Sequence, residues 1–511
     1  MAMAKTRKKD GYQTLQEIAK STQLLESVHM LLDWDQETYM PRHAIDIRSL
    51  QSELMASLVH QQRISKKFKS ALGAMIDIET NEIFDERLPP PQISALREWR
   101  RDYLKDAKLP SAFVKKIAKT VSTASHAWTS AKKHNDFREF SPHLEKIVNL
   151  SQKKADLLGF VEHPYDALLD LYEPEMKTSI LIPLFAKLKL PLTNLNKTIL
   201  AAQPIQDDFL FRHYPVHKQN QVGHELLKAM GFDEMTSRLD YSAHPFCTPL
   251  HPHDTRMTTR IHPENLMANI GAVMHEGGHG LYNMGLPVEH FGSPLCQQVS
   301  LGIDESQSRW WETLIGKSIS FWHHFFPILQ GHFPEQLSTV HLDDFYRAIN
   351  AVKPTLIRIE SDEVTYNLHI IVRFEIEKAL MEGGLKVQDV PEAWNEKMRE
   401  YLGIAPTLDG DGCLQDIHWS LGLFGYFPTY TLGNLYAAQF FEAFEKDHSN
   451  WKEKIAKGDL RFVREWLHDK IHRFGRQFSP GELCQKTTGK ALSQEPYVSY
   501  LDKKYKALYQ I

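Results

Sequence analysis

Apolar residues recur at helical spacing along almost the whole chain. Tyr12, Leu15, Ile18, Leu25, Val28 and Leu32 fall at three-, four- or seven-residue steps, so one helix face is apolar from the start. The same steps link Val364, Leu368, Ile371 and Phe374 ahead of a Gly383-Gly384 stop, and more briefly Leu144, Ile147 and Val148. Alternating runs of β-branched residues are nearly absent. The best strand candidates lie around Ser242 to Cys247 and Thr255 to Ile261, flanking Pro249-Leu250-His251-Pro252, and they predict a short hairpin. The expected fold is mainly α, a single large helical domain over residues 1–511 with a small β-hairpin or sheet. Within it, an N-terminal helical portion covers about 1–90 and a second core segment about 230–440. No Gly/Ser linker or repeat marks a boundary, and Asp85 to Pro91, with its triple proline, is the nearest thing to a hinge.

Composition narrows the class. With 511 residues, 42% hydrophobic and 24% charged, the chain can bury a large core. Lys and Arg total 60 against 64 Asp and Glu, and the formal charge of −4 makes no electrostatic case for nucleic acid or an anionic membrane. The basic start Lys5, Arg7, Lys8, Lys9 runs into polar residues without an apolar stretch behind it, so no secretory signal is predicted and a cytoplasmic location is expected. The greasiest segment, Ile180 to Leu192, is broken by Pro183, Lys187, Lys189 and Pro191 and is too short to span a bilayer. Cys247, Cys296, Cys413 and Cys484 form no C-x-x-C pair and read as reduced packing residues.

The strongest chemical signal is His275-Glu276-Gly277-Gly278-His279. On a helix, histidines four apart stack one turn above each other, where both imidazoles reach a single zinc ion. Pro263 suits the first turn of that helix, Leu266, Ile270, Val273 and Met274 give it an apolar face, and Gly285 can end it. Glu276 points about 100° away from His275, beside the metal's open position. Glycines at 277, 278 and 280 each cost ~1 kcal/mol in a helix interior, which implies that something approaches this backbone closely. A third ligand is available in Glu305, 26 positions beyond His279 in another predicted helix. Two His and one Glu form a common catalytic zinc set that leaves a fourth position for water.

The ordered motifs His244-Pro245-Phe246, Asp254-x-Arg256-x-Thr258, His275-Glu276-x-x-His279, Glu305-Ser306-Gln307-Ser308-Arg309, Ile357-Arg358-x-x-Ser361-Asp362 and Gly412-x-x-Gln415-Asp416-x-His418-Trp419 resemble the signature set of the carboxypeptidase Taq family of metallocarboxypeptidases. The resemblance runs from Leu32-Asp33-Trp34-Asp35-Gln36 to Tyr426-Phe427-Pro428-Thr429-Tyr430 and the Ile471-His472-Arg473 segment. It implies an all-helical, saddle-like homodimer with a deep active-site groove, and it makes 230–440 the catalytic core. Two positions depart from the family pattern: Asp304 stands where a His is usual, and Ser361 where an Ala is usual. Both leave the metal ligands intact, and Asp304 can still hydrogen-bond a liganding His.

The implied activity is release of single residues from the C-termini of peptides, with Zn2+ as cofactor and Co2+ or Mn2+ as alternatives. Glu276 takes a proton from the metal's water and returns it to the leaving amine. By analogy with related helical peptidases, His418 and Tyr430 are the candidate oxyanion donors; by residue type alone they equally suit a core His and a buried Tyr. A free C-terminal carboxylate calls for a guanidinium, and Arg358 is the first candidate, ahead of a helix predicted to begin near Ser361-Asp362-Glu363 whose positive end would add to anion binding. The alternative is an ion pair of Arg358 with Glu360 or Asp362. Arg256, on the hairpin, is the second anchor, and Gln415 joins the substrate-binding set through its motif. Asp409-Gly410-Asp411-Gly412 lacks the later acids of a calcium loop, His251-x-His253 lacks completing ligands, and the aromatic group Trp310, Trp311, Phe321, Trp322, Phe325, Phe326 reads as core. The rival functions are an endo-acting helical oligopeptidase and a peptide-binding protein without turnover.

Overall fold

The computed structural model describes residues 11–511, so the basic Lys5, Arg7, Lys8, Lys9 segment lies outside the described residues. Helical periodicity becomes helix throughout. The first two elements, α1 (Gly11–Thr38) and α2 (Ile45–Arg63), pack on each other. Tyr12, Leu15 and Ile18 of α1 are buried in a small cluster with Phe68, Leu72, Leu96 and Trp99. Further along, Leu25 and Leu32 of that period are half-buried and Val28 is exposed, as are Leu24 and Leu31 of α1 and Ile47, Leu50, Leu54 and Leu58 of α2. The triple proline does not make a hinge; Pro90 and Pro91 open the helix Pro90–Lys108, where a missing N–H removes no helical bond.

The sheet has three strands, β1 (Ser237–Tyr241), β2 (Cys247–His251) and β3 (Asp254–Thr259), in the order β1-β3-β2. β2 and β3 form the expected hairpin, but its first strand begins only at Cys247. At the late start the Thr258 hydroxyl takes one of the two bonds of the next pair: it accepts from Phe246 N at 2.9 Å and from Ser242 Oγ at 2.7 Å, while Thr258 N still donates to the Phe246 carbonyl. Pro249, without an N–H, sits on this edge strand beside a register shift. The parallel neighbour β1, absent from the sequence expectation, pairs with β3 from Ser237 to Tyr241.

Behind the sheet runs α3 (Leu266–Gly285), begun by Asn265, whose side chain accepts from Ala268 N. Its start lies three residues beyond Pro263, which stays outside the first turn. Next come α4 (Leu301–Arg309), capped by Ser300 and continued by a π-helical turn over Trp310–Ile315, then α5 (Tyr366–Met381) and α6 (Pro428–Asp447). The glycines of α3 admit these neighbours. A Cβ on Gly278 would fall 2.6 Å from Ser308 Cα, and one on Gly277 would meet Met230. On α6, a Cβ at Gly433 would fall 2.6 Å from Glu305 Cβ. Three backbones thus meet at the three motifs. The aromatic group from Trp310 to Phe326 is buried in the main core, as expected. The four cysteines are unpaired, and among the described residues no helix is long and apolar enough to cross a membrane.

Candidate active site

His275 and His279 lie one turn apart on α3, their rings 5.0 Å centre to centre. From α4, Glu305 places Oε2 3.7 Å from Nε2 of each ring. The three donor atoms lie within 4.8 Å of one another, and no other such His/Cys/Asp/Glu group is found among the described residues. The opposite edge of each ring meets a further carboxylate. His275 Nδ1 is 2.9 Å from Glu312 Oε2, which also receives Arg309 Nη1 at 2.7 Å. His279 Nδ1 is 3.0 Å from Asp304 Oδ1, an ionic contact in which the ring N–H is not aligned on the oxygen. With Nδ1 engaged on both rings, the Nε2 lone pairs converge with Glu305, and two imidazoles plus one carboxylate fit a divalent metal with an open position.

The electrostatics agree. Burial opposes a proton on His279, yet Asp304, Glu276 and Glu305 outweigh it and raise its pKa to about 10. Burial also opposes charge on His275, which Glu305 and Glu312 nevertheless push upward. This pocket demands positive charge, and a dication supplies it. Glu276 is buried, which raises its pKa against the pull of His275 and His279. It lines a cavity of about 360 Å³ together with the ligand residues, Phe246, Cys247, Gln298, Tyr426 and Tyr430.

Residues 14–505 match the sequence profile described as carboxypeptidase Taq (M32) metallopeptidase. The chain belongs to this family. It is 43% identical to the thermostable carboxypeptidase 1 of Thermus thermophilus, with 98% of this chain and 99% of the relative covered. It is 35% identical to carboxypeptidase 1 of Bacillus subtilis, with 99% of both covered. The crystal structure of the M32 carboxypeptidase from Deinococcus radiodurans superimposes with a TM-score of 0.95 at 35% identity, over 98% of this chain and 100% of that one. As an M32 member the chain is a metal-dependent carboxypeptidase, a peptide hydrolase, and its helical fold with one small sheet is that of the family.

In this M32 chain the remaining motif residues fall into two groups. Tyr430, on α6, lines the cavity, and its hydroxyl is 3.2 Å from Nε2 of His418, which stands behind it. Burial drives the pKa of His418 down to about 3, with Arg358 and Arg373 assisting against Asp416, so this imidazole is neutral. Burial raises the Tyr430 phenol well above its ordinary value, so it is a donor at neutral pH.

Arg358 is buried behind the Tyr430 ring, its guanidinium 4.8 Å from the ring centre. Nε and Nη2 donate to Asp416 Oδ1 at 3.1 and 2.8 Å, and Nη1 to the Tyr366 hydroxyl. Its acidic partner is therefore neither Glu360 nor Asp362. The helix expected to begin near Ser361 is continuous only from Tyr366: Asp362 caps a first turn, its carboxylate accepting from Val364 N and Thr365 N and its carbonyl from Tyr366 N, while the Glu363 carbonyl accepts from the Tyr497 hydroxyl. Its N-terminus thus adds nothing to anion binding at Arg358. Gln415 accepts from Arg358 N at 2.9 Å and donates to Leu356 and Asp411 carbonyls, which pins the Arg358 segment. Arg256, on β3, pairs with Asp254 and lies 4.4 Å over the Trp34 ring of α1, apart from the residues lining the metal cavity. Ser361 Oγ bonds the Ile357 carbonyl. Sequence reasoning missed Glu312, Gln298 and Tyr426. Glu312 carried a faint signal, seven residues after Glu305 and three after Arg309, but the π-turn that carries it was not legible.

Proposed function

We propose that this M32 enzyme removes single residues from peptide C-termini, with His275, His279 and Glu305 holding one Zn2+ and Glu276 acting as general base. The observation that carries the reading is the convergence of two Nε2 atoms and one carboxylate beside a buried, unpaired Glu276. A bound divalent metal supplies Lewis acidity and lowers the pKa of its water towards ~7. Glu276, raised by burial, suits proton uptake from that water and return to the leaving amine. Tyr430, steadied by neutral His418, donates to the developing oxyanion. Co2+ and Mn2+ are the alternative metals.

Arg358 is the proposed carboxylate anchor, and the charge count supports it. Asp416 lies between Arg358 and Arg373, with its second oxygen 2.7 Å from Arg373 Nε. Burial also drives His369 well below its ordinary pKa, so both nearby imidazoles are neutral. Asp416 is shared between two guanidiniums, and Glu377 near Arg373 is pushed up to about 7 by burial, so the cluster behind Tyr430 stays net positive and favours a substrate carboxylate. Gln415 keeps Arg358 in place; Arg256 is the second candidate. The chain acts as one domain with its catalytic core over about 230–440, in the cytoplasm. It works as a homodimer, for which the outward apolar stripe of α1 and α2 offers a face; a sedimentation mass of one chain would refute that.

The deciding experiment incubates purified enzyme with a peptide and its C-terminally amidated twin, with and without chelator, and reads products by mass. Stepwise loss of single residues from the free acid alone, abolished by chelator, is expected. Rapid internal cleavage of the amide would favour the endo-acting oligopeptidase, and no cleavage of either would favour a peptide-binding protein.

A further inference from the structure

The two liganding imidazoles are held in different electrostatic surroundings. Glu312, against His275, has its charge matched by Arg309 at 2.7 Å. Asp304, against His279, receives only the neutral Gln298 amide at 2.8 Å, and its one ion-pair partner among the described residues is His279 itself. The negative charge of Asp304 therefore stays with the metal site. Asp304 and Glu305 are neighbours on one α-helical turn, so the same short helix delivers both the ligand carboxylate and the carboxylate behind the second imidazole.

We propose that Asp304 is a positioning residue for the metal: its carboxylate, 3.0 Å from Nδ1 of His279, attracts the ring N–H to that edge, leaves Nε2 as the metal-facing lone pair, and keeps one uncompensated negative charge beside the cation. This rests on the ligand set proposed above. An imidazole with its second nitrogen held by a carboxylate is both oriented and more basic, and loss of such a partner typically weakens metal binding ~10- to 100-fold. Asp304 differs from Glu312 in that no arginine or lysine is paired with it, so its charge is left for the metal, whereas that of Glu312 is matched by Arg309.

The test uses the full-length protein and two probes, Zn2+ and Co2+. Zinc affinity is measured by competition with a chromogenic chelator, and the visible spectrum of the cobalt-loaded protein reports ligand geometry. Asp304→Ala should weaken zinc binding ~10- to 100-fold and alter the cobalt spectrum. Asp304→Asn keeps an acceptor oxygen but not the charge, and should fall between Asp304→Ala and the native chain. It also decides the matter if Asp304→Ala does not fold. Native zinc affinity and an unchanged cobalt spectrum in the folded variant would overturn the proposal. Glu305→Ala separates the two readings. Zinc retained there rejects the ligand set itself, whereas zinc lost there but kept in both Asp304 variants rejects only the role of Asp304.

Discussion

Replacing Arg358 with Ala separates a carboxylate anchor from a structural arginine. In most buried clusters, deleting one charge orphans its partner and costs several kcal/mol of stability. Here Asp416 keeps Arg373, at 2.7 Å through Nε and 2.6 Å through Nη2, so a neutral pair remains. The variant is thus expected to fold and to bind metal. A desolvated charge-assisted contact contributes ~2–5 kcal/mol. Arg358 already spends part of its hydrogen-bonding capacity on Asp416, which places the net loss at the lower end, ~2–3 kcal/mol, or roughly a 30- to 150-fold fall in kcat/KM on free-acid peptides. Amidated twins lack the charge, so their already slow cleavage should change little, and the acid-to-amide ratio should contract by the same factor. The assay is initial-rate hydrolysis of both peptides by native and variant enzyme at matched metal occupancy. An unchanged ratio in a folded, metal-loaded Arg358→Ala protein would refute the anchor and pass the test to Arg256.

Three other outcomes follow from the same geometry. Ala at His275, His279 or Glu305 should strip the metal and the activity together, whereas Glu276→Gln should retain metal, by elemental analysis, while hydrolysis nearly stops. Gly278→Ala drives a Cβ into the α4 backbone at Ser308 and should destabilise the protein by ~1–3 kcal/mol and weaken metal binding, read by thermal unfolding and zinc competition; native values would remove close backbone approach as the reason for that glycine. His472, buried at 1% exposure with Nε2 2.9 Å from Gln307 Oε1, has its pKa lowered by burial to about 3, so between about 3 and 6.5 the unfolded chain binds the extra proton. Its contribution is therefore present above pH 6.5 and lost as pH falls, by ~1.4 kcal/mol per unit. His472→Gln should make the metal-free protein lose ~2 kcal/mol less stability between pH 7 and pH 5 in denaturant melts, and an identical slope would count against the buried neutral imidazole.

What was legible in the sequence follows from how local each signal is. The period of apolar residues reports the helix directly, so Tyr12 to Ile18 and Leu368 to Phe374 read correctly, while Val364 lies in the turn ahead of its helix. It does not report which face meets a neighbour, and the second half of α1 therefore carries its Leu24, Val28 and Leu31 to the surface. The glycines of the His275 helix announced a close backbone approach without naming what approached. Failures gather where a side chain takes over a backbone role. The Thr258 hydroxyl takes the Phe246 N–H that a ladder would have bonded, and the Tyr497 hydroxyl takes the Glu363 carbonyl in the turn that precedes the helix at Tyr366. Of the two carboxylates behind the ligands, Asp304 was legible beside the ligand Glu305 in its motif, whereas Glu312, in the π-helical turn that follows α4, was not. Two ligands and both of their supporting acids thus come from only two backbones. An uninterrupted α-helix fixes Asp304 and Glu305 about 100° apart and sets the direction of Glu312 by its distance along the chain. Seven residues on, about two turns, Glu312 returns to the side of Glu305, so each imidazole meets its own acid while the two Nε2 atoms share a single carboxylate.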